Sequence, residues 1–324
     1  MKLKTLLATL LLIATTTASA QTYKYESVAN DPMVVRIYTL NNGLKVYLSR
    51  NSEQPRIQTY IAVRTGSRND PHETTGLAHY LEHLMFKGTT HFGTSNLAAE
   101  QPLLDSIEHR FEVYRTITDP TERKAYYHQI DSISQLAAKY NIPNEYDKMM
   151  AAIGSEGSNA YTSNDQTCYQ EDIPSNELDN WARVQSDRFQ NMVIRGFHTE
   201  LEAVYEEYNI HLSSDGEKEW VALNKKLFPN HPYGTQTTIG TQEHLKNPSI
   251  TNIKNYFKRY YVPNNVAIVM AGDLDYDKTI ATINKYFGSW KKSDNLSRPE
   301  YAPVPTLKQH VDTTVVGQEA ENVM

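Results

Sequence analysis

Cysteine and positive charge are both scarce in this chain. Cys168 is the only cysteine among 324 residues, so no intrachain disulfide can form. Lys and Arg number 32 against 38 Asp and Glu, a net charge of −6 without a basic stripe, which argues against a nucleic-acid partner held through its phosphates. Glycine and proline number 14 each, too few for a collagen-like or low-complexity chain. What remains is a globular protein stabilised by core burial, metal or partners.

No hydrophobic run is long enough to cross a membrane. The apolar run at residues 6–14 is less than half of the roughly 20 residues that a transmembrane helix needs. Lys2 and Lys4 precede it, and Ala18-Ser19-Ala20 follows with the small residues that a signal peptidase requires. We therefore predict a signal peptide over residues 1–20, export to the periplasm or out of the cell, and no membrane span after cleavage.

Strand-like and helical patterns are interspersed along the rest of the chain. Two short apolar runs flank Asn41-Asn42-Gly43, which predicts a β-hairpin. Alternating or continuous apolar runs predict further strands at 56–65, 158–162, 166–171 and 265–273. Helical spacing predicts helices at 75–86, 176–191, 198–212, 217–228, 249–260 and 276–286. This order predicts an α+β fold, in which Cys168 is a packed strand residue rather than a reactive thiol.

The stretch from residue 97 to 150 is helical in two stripes. Asp119-Pro120 separates the stripes, and Pro143 follows the second, so we predict a helical hairpin over residues 97–150. Farther along, residues 289–305 are rich in polar residues and proline, which predicts a linker. A short strand is predicted after it, over Thr313 to Gly317.

The predicted helix at 75–86 contains the pattern His-x-x-Glu-His. His79 and His83 are four residues apart, the spacing at which two imidazoles on one helix face reach a single Zn²⁺. Glu82 lies beside them, where its carboxylate can act as general base on a metal-activated water. The alternative is a pair of helix-surface histidines beside a glutamate. Most of the remaining helix surface is apolar, through Tyr80, Leu81, Leu84 and Met85. A buried polar group of this kind needs a partner that offsets its desolvation, and a metal does so.

A third metal ligand is expected among carboxylates on another helix, because catalytic zinc usually takes three protein ligands. The helix at 198–212 contains Glu200, Glu202, Glu206 and Glu207. Glu200 and Glu207 are two turns apart and share a face, so we choose Glu207 as ligand and Glu200 as a carboxylate that orients a ligand. Spacing does not separate Glu207 firmly from Glu206.

These residues resemble the inverted zinc motif of the insulysin/pitrilysin family, the inverzincins, which includes the mitochondrial processing peptidases. Asn159-Ala160-Tyr161-Thr162 is similar to the family's substrate-binding edge strand, and the segment 260–273 is similar to the close of its first domain. The resemblance spans about residues 37–290.

The resemblance implies an α/β roll with a mixed, largely antiparallel sheet backed by helices. It implies one Zn²⁺ per chain and an extended peptide substrate that adds to the edge strand through main-chain hydrogen bonds. The roles carried over are metal ligands His79, His83 and Glu207, general base Glu82, supporting carboxylate Glu200, and substrate contacts Asn159 and Ala160. The implied activity is that of an exported zinc endopeptidase.

Two departures from the family pattern bear on this expectation. The helical hairpin lengthens the usual gap between the second histidine and the glutamate ligand, so residues 97–150 are expected to be an insertion. Family members also enclose substrate between at least two such domains or subunits, and a later domain supplies an Arg and a Tyr. We expect residues 21–292 to form one metallopeptidase domain and residues 293–324 to be a linker and the truncated start of a second homologous domain.

Two alternatives to the active enzyme remain open. One is a peptide- or metal-binding module, or a half-enzyme, that needs a C-terminal domain or partner subunit to turn over. The other is a purely structural zinc, which would require four protein ligands where the sequence offers three.

Overall fold

The computed structural model describes residues 23–318; the predicted signal peptide, residues 1–20, lies outside them. One seven-stranded sheet organises the fold, in the order β1-β2-β3-β7-β4-β6-β5. The strands are β1 (Tyr25–Glu26), β2 (Arg36–Thr39), β3 (Lys45–Arg50), β4 (Arg56–Val63), β5 (Glu156–Thr162), β6 (Thr167–Pro174) and β7 (Val266–Gly272). Neighbouring strands are antiparallel except β3 and β7, which are parallel. The predicted α+β class and the mixed, largely antiparallel sheet are confirmed.

The strands follow from their residue patterns. In β4 every second residue is buried, from Ile57 to Val63, as expected for a strand with one face on the core. The β2–β3 hairpin turns at Gly43, whose φ of +85° is open to glycine at little cost. Cys168 is buried in β6, in agreement with its predicted packing role.

Eleven α-helices in the described residues cover the sheet and extend from it. They are α1 (Leu77–Leu84), α2 (Leu97–Tyr114), α3 (Pro120–Ala138), α4 (Glu145–Ala152), α5 (Leu178–Asn191), α6 (Phe197–Ser213), α7 (Asp215–Leu227), α8 (Pro232–Thr235), α9 (Gln242–Leu245), α10 (Ile250–Tyr260) and α11 (Tyr276–Phe287). Within residues 23–318, no helix is both long and apolar enough to cross a bilayer.

Two local expectations differ from the structure. The stretch predicted as a two-helix hairpin contains α2 and α3 and then a third helix, α4, after Pro143. Tyr146 and Met150 of α4 are buried, so packing supports this short helix although its sequence signal is weak. The strand expected at Thr313 to Gly317 is not formed, because none of the seven strands pairs with this segment and an unpaired strand is not stable.

A buried ionic network ties the helices to the sheet. Glu171 of β6 and Arg188 of α5 are both fully buried, 3.6 Å apart. Glu171 accepts hydrogen bonds from the indole of Trp181 at 3.2 Å and from Gln185 at 3.1 Å. Arg188 donates to the main-chain carbonyl of Met85, at the end of α1, at 3.1 Å. The network therefore fixes the carboxyl end of α1 against β6 and α5.

Candidate metal centre

The orientation of α1 is set at its amino end. Gly76 precedes the helix with a φ of +84°, and a Cβ there would lie 2.5 Å from the carbonyl oxygen of Ile239. The carboxylate of Asp70 accepts hydrogen bonds from the N–H groups of Gly76 and Ala78 at 2.8 and 2.9 Å. Burial raises the pKa of Asp70, and these hydrogen bonds oppose the shift. This buried cap holds the first turn in place, and the sequence pattern did not indicate it.

Three ligand atoms converge between α1 and α6. The Nε2 atoms of His79 and His83 are 3.2 Å apart. The Oε2 atom of Glu207 lies 3.4 Å from the first and 3.5 Å from the second. These three side chains are the one group of His, Cys, Asp and Glu in residues 23–318 whose geometry could hold a metal ion.

The triangle fits a zinc ion. Bonds of about 2.0–2.1 Å in tetrahedral geometry place ligand atoms roughly 3.3 Å apart, close to the observed 3.2–3.5 Å. Two imidazole nitrogens and a carboxylate oxygen are also the donor set of catalytic zinc sites with three protein ligands. Three lone-pair atoms at this spacing repel one another unless a cation or proton lies between them.

The two histidines differ in how readily they take up a proton. Burial, together with the nearby His83, lowers the pKa of His79 to about 3, so its imidazole is neutral at pH 7. His83 Nδ1 lies 2.8 Å from Oε1 of Glu200. Because an ionised carboxylate only accepts, Nδ1 carries a proton. Burial opposes protonation of the ring, but the hydrogen bond to Glu200 and the nearby carboxylates of Glu207 and Glu82 raise the pKa of His83. A metal ion therefore competes with a proton for Nε2.

Glu200 connects His83 to a lysine. The ammonium of Lys87 contacts the second carboxylate oxygen of Glu200. Burial opposes ionisation of Glu200, but the bonds from His83 and Lys87 outweigh it and lower the pKa of the carboxyl. Glu200 therefore stays charged although it is buried, and it fixes the ring of His83.

Glu82 has a different environment on the same helix. It is buried, and its Oε2 accepts a hydrogen bond from the hydroxyl of Thr162 at 2.6 Å. Burial raises the pKa of the Glu82 carboxyl, whereas Thr162 and His83 lower it and Glu207 raises it. Thr162 is the last residue of β5, so the carboxylate contacts the edge strand directly.

Helix α6 separates its two adjacent glutamates. Glu207 faces the histidines at the distances given above, whereas Glu206 is exposed and lines a cavity on another side of the helix. One residue along a helix turns a side chain by about 100°, which accounts for the separation. Glu200 lies two turns before Glu207 and shares its face.

The two predicted substrate contacts lie on β5, at an edge of the sheet. β5 pairs only with β6, through Asn159 opposite Gln170 and Ala160 opposite Tyr169. Asn159 is exposed and Ala160 half-buried. The other edge of β5 has no strand beside it in the described residues, and an unpaired edge can accept an extended chain.

Two residues that contact the site, Lys87 and Thr162, were not singled out from the sequence. Lys87 lies four residues after His83. This spacing places two side chains on the same helix face, but it indicates a contact only if a helical turn continues past the end of α1. Thr162 stood in the edge-strand motif but without a role. Its contact with Glu82 joins residues 80 positions apart, which no local pattern reveals.

A half-buried group of two histidines and a glutamate beside an open sheet edge makes this an α+β domain with a candidate metal centre. Two models of one family match this chain. That described as "Insulinase (Peptidase family M16)" matches residues 45–105, which include His79, Glu82 and His83. That described as "Peptidase M16 inactive domain" matches residues 249–323. The chain belongs to the peptidase M16 (insulinase/pitrilysin) family and is related to the beta subunit of mitochondrial processing peptidase.

Individual relatives agree with this assignment. The "Uncharacterized zinc protease YmxG" of Bacillus subtilis is 25% identical over 277 residues, 83% of this chain and 54% of that protein. A probable mitochondrial-processing peptidase subunit beta of Arabidopsis thaliana is 23% identical over 257 residues, 78% of this chain and 38% of that protein. The crystal structure of the periplasmic protease PqqL from Escherichia coli superposes with a TM-score of 0.65 at 18% identity, covering 86% of this chain and 26% of that one. This chain thus spans about half, or less, of the relatives it matches.

Proposed function

We propose that this chain is the zinc-binding catalytic domain of an exported endopeptidase that hydrolyses extended peptides. The observation that carries the proposal is the convergence of His79, His83 and Glu207 within 3.2–3.5 Å, with the buried Glu82 beside them. The family relationship supports the same chemistry, since zinc proteases are among the relatives.

In this proposal His79, His83 and Glu207 hold one zinc ion, and Glu200 orients His83 by accepting its Nδ1 proton. When bound, zinc supplies Lewis-acid chemistry, which polarises a carbonyl and lowers the pKa of water. The peptide adds to the free edge of β5, near Asn159 and Ala160, through main-chain hydrogen bonds.

Glu82 acts as the general base, and it transfers a proton from the attacking water to the leaving amine. Thr162 occupies its Oε2 atom, which leaves Oε1 to take a proton from the attacking water and to pass it to the leaving amine. Burial raises the pKa of the carboxyl toward the range in which both steps are effective.

The test is Glu82→Gln, which keeps the shape of the side chain but cannot take a proton. We expect zinc to bind at wild-type stoichiometry while cleavage of an unstructured peptide falls by about 10²–10⁴-fold. Glu206→Gln, on the other side of α6, is the matched control for zinc binding and should leave it unchanged. A Glu82→Gln variant that binds zinc and still cleaves at the wild-type rate would refute the role of the base.

A second candidate function is a half-enzyme that binds metal and peptide but needs a second homologous domain or partner subunit to turn over. The observation in its favour is that the chain matches about half of YmxG's length. If the chain binds zinc and peptide without cleavage, and cleavage begins on adding a homologous second half, this function replaces the first. Export is tested separately, by the N-terminal sequence of the mature protein, which we expect to begin at Gln21.

A further inference from the structure

A second concave site lies between the predicted insertion and helix α6. It is a cavity of about 390 Å³, lined by α2 and α3 of the insertion, by α6, and by residues 245–248 at and after the end of α9. Its volume lies in the range of small-molecule sites. The proposed peptide hydrolysis does not use it, because its α6 residues point away from the metal ligands.

The cavity walls are aromatic. Its four rings belong to Phe111, Tyr114, Tyr127 and Tyr205. The centroids of Tyr114 and Tyr127 are 5.6 Å apart, and Phe111 meets Tyr114 edge-on at 6.4 Å.

Two of the tyrosine hydroxyls are already engaged. Tyr127 Oη lies 2.7 Å from His198 Nδ1, and Tyr205 Oη accepts from Gln242 at 2.7 Å. Burial raises the pKa of Tyr127 to about 12, a sign of poor hydration on this wall. These walls therefore offer aromatic faces to a ligand rather than free hydroxyl groups.

The charged groups around the cavity differ in whether they already have a partner within the protein. The Arg123 guanidinium stacks on Tyr114 at 3.7 Å and donates to the carbonyls of Tyr114 and Ile117 at 2.9 and 3.1 Å, so it is part of the wall. Glu206 is exposed and has no ion-pair partner in residues 23–318, and Glu202 reaches only His198 Nε2, at 3.7 Å. Two carboxylates, one turn apart on α6, are thus available to a ligand.

We propose that this cavity binds an aromatic primary amine, such as the aromatic N-terminal residue of a peptide. Its ring packs against Tyr114, Tyr127 and Tyr205, which are partly exposed, whereas Phe111 is buried behind them. Its ammonium pairs with Glu202 and Glu206. Aromatic pairs are stabilised beyond their buried area, cations are attracted to ring faces, and an ammonium forms strong charge-assisted hydrogen bonds with carboxylates. Lys246, whose ammonium is 5.8 Å from the ring centroid of Tyr205, is the one lining cation that is exposed and could favour an anion instead.

The probe is L-phenylalaninamide, titrated calorimetrically into the chain after zinc is removed with a chelator, so that its amine cannot bind the metal. Three comparison ligands separate the contributions. N-acetylphenylalaninamide keeps the ring without the charge, leucinamide keeps the charge without the ring, and 3-phenylpropionate reverses the charge. We expect L-phenylalaninamide to bind at one site and each of the other three to bind at least about tenfold more weakly.

The variants locate the site. Glu206→Gln should weaken L-phenylalaninamide binding by about tenfold, whereas Glu219→Gln, which removes a charge on α7 away from the cavity, should not change it. Tyr205→Leu should reduce the preference for phenylalaninamide over leucinamide. Equal binding by the wild type and Glu206→Gln, tighter binding of 3-phenylpropionate, or no saturable binding would each overturn the proposal. Because the metal is absent, none of these outcomes depends on the proposed peptidase function.

Discussion

The two sides of helix α6 carry the same residue type in very different surroundings. Glu200 and Glu207 face α1, where they contact His79, His83 and Lys87. Glu202 and Glu206 face the aromatic cavity and are exposed. The comparison teaches that a carboxylate on this helix acquires its role from what the neighbouring elements place opposite it, since the helix itself presents four similar side chains.

The two sides of α6 should differ most in how substitution of the adjacent glutamates, Glu206 and Glu207, changes zinc affinity. Glu207→Gln removes one of three proposed ligands, and we expect zinc affinity to fall by at least about 100-fold, since even groups that only orient ligands cost 10–100-fold. Glu206→Gln should leave the affinity unchanged. Competition with a chromophoric chelator measures both.

A stability measurement checks the same pair independently. Consider a ligand that binds only the folded chain and is present at a concentration of about 1,000 times its dissociation constant. Such a ligand adds roughly 4 kcal/mol to the free energy of unfolding. Zinc should therefore raise the melting temperature of the wild type and of Glu206→Gln fully. For Glu207→Gln, a roughly 100-fold weaker affinity leaves zinc at about 10 times its dissociation constant, so the gain falls to roughly 1.4 kcal/mol or less and the melting temperature rises much less. Equal shifts in both variants would remove Glu207 from the metal site.

The next difference concerns the carboxylates two residues apart, Glu200 and Glu202. Glu200→Gln should weaken zinc binding by about 10–100-fold, because an amide orients the His83 ring less strongly than a carboxylate. Glu202→Gln, whose contact to His198 is long at 3.7 Å, should have no effect on zinc. If both variants bind zinc as the wild type does, the hydrogen bond from His83 to Glu200 does not support the metal.

The sequence predicts local parts of this structure better than distant ones. His79, Glu82 and His83 lie within one helical turn, so their proximity follows from helix geometry alone. The choice between Glu206 and Glu207 depends on how α6 is rotated against α1, which packing decides and spacing does not. The spacing still favoured Glu207, through the face it shares with Glu200.

The same limit applies to the fold. The β2–β3 hairpin has a turn signal in its sequence, and the structure has it. The parallel pairing of β3 with β7 joins Lys45 to Ala267, and no local pattern contains that information. The buried ionic pair of Glu171 and Arg188 is similar, because each residue alone resembles an ordinary surface charge.

The smallest expected effect tests how far the metal side of α6 extends. Lys87 contacts Glu200 but not the ligand triangle, and its side chain is one-third exposed, so solvent screens part of the interaction. Lys87→Met should therefore weaken zinc binding by only about two- to fivefold, the scale of a partly exposed ion pair. Lys87→Arg keeps the charge and should restore most of the affinity.

A general loss of stability could mimic this effect, so the unfolding of the metal-free variants by urea is the companion measurement. Lys246→Met removes a cation from the cavity side of α6 and should not change zinc affinity. If Lys87→Met lowers zinc affinity, Lys87→Arg restores it and the metal-free stabilities are equal, Lys87 acts through Glu200 on His83. If Lys87→Met and Lys246→Met change zinc affinity equally, the loss of one positive charge accounts for the effect of both. Lys87 then does not act on His83 through Glu200.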